Sequence, residues 1–120
     1  MEDSLGLSHI KDTLGLSFPM PVKVLSVMFW STQTSPDNKA RLMLTLSPQA
    51  RPEARIEIIF FGVRSLSIPH IGPGGIECPQ LQITDMSDAQ WENIRWSVDD
   101  KGETISFYAA KLETRSIDVL

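Results

Sequence analysis

Cysteine is almost absent from this chain. A single residue, Cys78, excludes any internal disulfide, and a chain that folds without one fits a reducing compartment. Histidine is nearly as scarce, with only His9 and His70. Together with Cys78 they fall short of a tetrahedral zinc set, and no C-x-x-C pair is present, so no metal is expected. Long apolar runs are also missing. Val24–Trp30 and Ile58–Val63 are the longest, far below the roughly 20 residues a helix needs to cross a bilayer. The opening Met1-Glu2-Asp3-Ser4 lacks the basic start of a signal peptide. A cytoplasmic protein without a membrane partner is expected. Basic residues are outnumbered, 11 to 15, for a net charge of −4 and a pI near 5.0. That balance disfavours nucleic-acid backbone binding.

Catalytic signatures are equally thin. No G-x-S-x-G elbow occurs, and Cys78 is flanked by Glu77, an acidic neighbour that raises a thiol pKa rather than lowering it. Gly72-Pro73-Gly74-Gly75 lies between two β patterns with no following lysine, so it reads as a connection and not as a phosphate loop. The carboxylate pairs Asp85/Asp88 and Asp99/Asp100 offer acid–base chemistry only across a cleft, and Asp99-Asp100-Lys101-Gly102 reads first as a hairpin turn. No enzyme and no cofactor are expected.

What the chain does have is a globular composition, 42% hydrophobic and 22% charged over 120 residues, which is enough for one domain with a real core. Residues 1–20 form a partly helical N-terminal segment. Leu7, Ile10 and Leu14 have helical spacing, Asp3 or Ser4 is placed to cap, and Gly6 and Gly15 weaken the pattern. Residues 21–120 form the β core. Val22–Trp30 is β-rich, and Lys39–Ser47 alternates with Ala40, Leu42, Leu44 and Leu46 on one side. Ala54–Phe61 has Ile56, Ile58 and Phe60 on one face and Ile59 and Phe61 on the other, so it reads as buried on both sides. Gly62 marks a bulge before Val63–Ile68, and Pro69–Pro79 reads as irregular. Gln80–Thr84, Ile94–Asp99, Thr104–Tyr108 and Leu112–Val119 complete the strands, with a helical turn in Asp85–Glu92. Seven or eight short strands with one or two short helices predict an all-β, mostly antiparallel sandwich or partly open barrel.

Charge is uneven along the chain. Residues 1–76 hold six acids and seven bases, and residues 77–120 hold nine acids and four bases. The acidic stretch also carries Trp91 and Trp96; Trp96 falls on the inward phase with Ile94 and Val98. Tryptophan among acids suits an interface with a basic partner. The candidate binding residues are Asp85, Asp88, Trp91, Glu92, Asp99, Asp100 and Glu103.

The run Ile56-x-Ile58-x-Phe60-x-Gly62-Val63-x-x-Leu66, followed by Leu81-x-Ile83, Trp91-Glu92-x-Ile94-x-Trp96-x-Val98-Asp99-Asp100 and Ile105-x-Phe107-Tyr108, resembles small, mostly β immunity proteins of bacterial polymorphic toxin systems, the immunity protein 50-like group. The resemblance implies a non-enzymatic inhibitor that binds and blocks a cognate toxin domain in the cytoplasm of the producing cell, with a basic nuclease as a toxin that suits the acidic stretch. A small-ligand-binding barrel and an accessory protein-interaction domain are the alternatives.

Overall fold

Alternation of apolar and polar side chains sets the strands, and a few glycines and prolines set where they bend. The computed structural model describes residues 6–30, 40–69, 71–87, 94–100 and 105–119. Helix α1 spans Leu7–Leu14. Eight strands follow: β1 Met20–Trp30, β2 Arg41–Pro48, β3 Ala54–Phe61, β4 Arg64–Ser67, β5 Ile76–Asp85, β6 Trp96–Asp100, β7 Ser106–Ala109 and β8 Lys111–Val119. They make one antiparallel sheet in the order β4-β7-β6-β5-β1-β2-β3-β8.

The ends of that order meet. Only Gly62 and Val63 separate β3 from β4, and only Ala110 separates β7 from β8. One register runs across both breaks, since Phe61 faces Lys111 in the β3–β8 pair and Arg64 faces Tyr108 in the β4–β7 pair. The Ala110 N–H donates to the Phe61 carbonyl at 2.9 Å and bridges the gap. The sheet therefore curls round on itself through one bent strand pair. Of the two expected architectures this is the partly open barrel, and not a sandwich of two sheets. Gly62 makes the bend with φ 68°, and a Cβ there would stand 3.0 Å from the Ala110 Cβ.

One row on each of seven strands faces inward: Val22 and Val24, Leu42, Leu44 and Leu46, Ile56, Ile58 and Phe60, Leu81 and Ile83, Val98, Phe107, and Leu112 on β8. Phe60 and Phe107 meet edge to face with centroids 4.9 Å apart. Helix α1 packs on β8 and sends Ile10 and Leu14 into the same core. Its start is tied down by the Thr114 hydroxyl, which donates to the Gly6 carbonyl at 3.1 Å.

Three local expectations change. The N-cap is Gly6, without a side-chain cap, and Gly15 is no defect in the helix. It ends it in the left-handed conformation, φ 73°, with its N–H donating to the Lys11 carbonyl at 2.8 Å. Strand β5 starts at Ile76, inside the stretch expected to be irregular. Pro79 is tolerated there because β6 pairs with β5 only from Leu81 onward, and the β1 register skips between Cys78 and Leu81. Trp96, expected in the core, is half-buried at its margin.

Candidate functional site

Of the seven acidic-stretch candidates, Asp88, Trp91, Glu92 and Glu103 lie outside the described residues, as does most of the expected helical turn. The other three sit on β5 and β6 and do not form one surface. Asp85 ends β5 and is exposed, but its carboxylate is engaged locally. One oxygen accepts the Ser87 backbone N–H at 2.9 Å and the other accepts Arg95 Nη2 at 3.4 Å. The hydrogen bonds from Ser87, with the Arg95 charge behind them, hold this carboxyl below the ordinary range. Asp99 is half-buried on the outer face, between Gln82 on β5 and Ser106 on β7.

Asp100 overturns its assignment to a binding surface. It is 2% exposed. Two residues after the inward Val98, it continues the inward phase of β6 instead of entering the turn. Its Oδ1 accepts the Gln80 N–H at 3.3 Å, and its own N–H donates to the Ile105 carbonyl at 3.1 Å. Its charge also reaches Cys78. Burial first, and Asp100 second, push that thiol up to about 11. Cys78 is thus a protonated core filler and not a nucleophile. Among the described residues no three His, Cys, Asp or Glu side chains converge as metal ligands do.

A different surface comes together on the outer face of β1, β2, β3 and β8. The strand registers align two rows across these four strands. The first is Trp30, Arg41, Phe61, Lys111, and the second is Met28, Met43, Ile59, Glu113. In the first row aromatic and cation alternate. The Arg41 guanidinium lies 5.2 Å and the Lys111 ammonium 5.5 Å from the centre of the Phe61 ring. Such contacts hold the cations in place at about 0.5–1 kcal/mol each at exposed sites. In the second row Ile59 is 4% exposed, yet it belongs to no part of the inner core. It is covered from outside by its neighbours, which is why β3 is apolar on both faces. Met28, at 56% exposure, is the open end of the row.

The sequence pattern hides this face. Both phases of β1 are apolar, and the β1–β2 register slips between Val24 and Ser26. That slip moves Met28 and Trp30 outward while Val27 still packs on the core. A clue was available in Ile59 and Phe61, the second apolar phase of β3.

A half-open cleft of about 440 Å³ lies between the start of α1 and β8, with Arg95, Trp96 and Lys111 in its wall. Arg95 stacks on Trp96 at 5.2 Å, and Lys111 pairs with Glu113 at 3.3 Å. No described helix is long and apolar enough to cross a membrane. Comparison with protein-family models, with curated proteins and with solved structures finds no match to this chain.

Proposed function

We propose that this chain is a non-enzymatic binding protein, an immunity protein that neutralises a cognate toxin domain in the cytoplasm, and that it grips its partner through the outer face of β1, β2, β3 and β8. The observation that carries the binding half is the row Trp30, Arg41, Phe61, Lys111 beside the row Met28, Met43, Ile59. Tryptophan, phenylalanine, methionine and arginine are the residues that anchor protein interfaces. Here the strand backbone presets their spacing, so little ordering entropy is lost on binding. The toxin half is supported by the resemblance of the β3, β5, β6 and β7 motifs to immunity proteins.

The acidic stretch then acts at a distance. Nine acids against four bases after residue 76 set up a negative field. Such a field speeds encounter with a positively charged partner, a basic nuclease for example, and contributes little to holding it. The test is co-expression with the toxin domain encoded by the neighbouring reading frame. Rescued growth and an equimolar complex are expected. A toxic neighbour that this chain neither binds nor restrains would overturn the proposal.

A further inference from the structure

We infer that the chain forms a two-fold dimer by pairing the free edge of β1 with the same edge of a second copy, independently of the toxin reading above. The edge is created by where β5 stops. Strand β5 pairs with β1 only from Met20 to Val24. Gly75, just before β5, leads the chain off at that point. It adopts φ 80°, and a Cβ there would fall 2.6 Å from the Val24 carbonyl oxygen. Beyond Val24, β1 pairs with β2 on one side and with no strand on the other among the described residues. Every second residue along such an edge directs its N–H and C=O outward.

The side chains show the same gap. Phe29 faces Leu42, which is fully buried, so it lies on the core-facing phase, yet it is 46% exposed. Among the described residues no strand covers it.

A second copy is the occupant that the charge pattern favours. A two-fold axis sets each residue close to its own symmetry mate, so any charge in the strip would meet itself. Leu25-Ser26-Val27-Met28-Phe29-Trp30 has none, in a chain of net charge −4. It also lacks the lysine, proline or inward charge that commonly blunts free edges. The antiparallel register that pairs all of Ser26–Trp30 has its axis at Met28. That register sets Val27 against the partner's Phe29 on the core side and Ser26 against the partner's Trp30 on the outer side. The sheet then continues across the axis, and both exposed apolar side chains, Met28 and Phe29, are covered.

Light scattering and sedimentation of the full chain over a concentration series test this. The expected mass at the upper end is twice 13.4 kDa. Met28→Lys, an exposed site, brings two ammonium groups together at the axis, which should weaken association at least about a hundredfold. Val119→Lys, at an exposed apolar residue elsewhere, should leave it unchanged. Met28→Cys should cross-link quickly under mild oxidation, because facing residues in antiparallel strands lie within disulfide reach, while Phe29→Cys should lag. A monomer at every concentration would overturn the inference. So would a dimer that Met28→Lys leaves intact, or equal cross-linking at both positions. Mass and cross-linking are read on the chain alone, so their failure leaves the toxin reading to its own co-expression test, even though Met28 and Trp30 belong to both surfaces.

Discussion

Phe60 and Phe107 hold the core from opposite parts of the sheet. They are 0% and 1% exposed and meet ring edge to ring face. Removing either leaves a cavity that close-packed neighbours fill only in part, so Phe60→Ala or Phe107→Ala should cost about 3–5 kcal/mol in denaturant unfolding. An unchanged midpoint would mean that the inward phase is misplaced. Cys78 makes a second prediction. Its thiol, lifted from the ordinary 9.0 to about 11, stays protonated in the folded protein at neutral pH. Alkylation at pH 8 should therefore wait for unfolding. Above pH 9 the unfolded chain gives up the proton first, so stability should fall as pH rises from 9 toward 11. A thiol that reacts in native protein as fast as free cysteine would contradict this. At this scale the sequence was legible wherever one phase is apolar and the other polar, as in Leu42, Leu44 and Leu46. It misled at Asp100, where the turn-like Asp99-Asp100-Lys101-Gly102 outweighed the strand phase that the inward Val98 had already established.

Strand ends and bends are where local pattern and tertiary structure part company. The break at Gly62 was legible because a glycine interrupts one continuous β pattern, but it is a bend and not the expected bulge, since the register stays unbroken from Phe61/Lys111 to Arg64/Tyr108. The true start of β5 was not, because Pro79 marks an irregular segment unless the pairing of its neighbours is known. Nor does a sequence show that Gly75 lies against the Val24 carbonyl. Substituting it adds left-handed strain to a backbone clash, so Gly75→Ala should cost about 2 kcal/mol or more. For a chain of this size that is a loss of about 8 °C or more in thermal midpoint. No loss would mean that the β1–β5 junction is looser than described. Helix α1 is amphipathic and short, so it depends on docking. Ile10, at 1% exposure, is its anchor, and Ile10→Ala should cost about 2–5 kcal/mol. A value near zero would show that α1 is not part of the cooperative unit.

As a whole the molecule divides its labour between two regions of one curled sheet. Strands β1, β2, β3 and β8 carry the aromatic, methionine and cation rows on their outer face, while the acids accumulate after residue 76. Closure of the sheet through the bent β3–β4 and β7–β8 pair was beyond the reach of pattern reading, because pairing partners far apart in sequence leave no periodic trace. The candidate site suffered for the same reason. Trp30, Arg41, Phe61 and Lys111 come from four separate strands and are neighbours only by register. Affinity is therefore expected to follow this row, and association rate to follow the net charge and fall with added salt. The most direct measurement is the equilibrium affinity of the proposed partner, a toxin domain encoded beside this chain, for three proteins: wild type, Arg41→Glu, and the double variant Asp85→Ala/Asp99→Ala. Arg41→Glu should weaken binding by about thirtyfold or more, as loss of an interface anchor does, while the double variant stays within about threefold of wild type and differs mainly in on-rate. Full affinity in Arg41→Glu together with a large loss in the acidic double variant would contradict the assignment and move the binding face to β5 and β6.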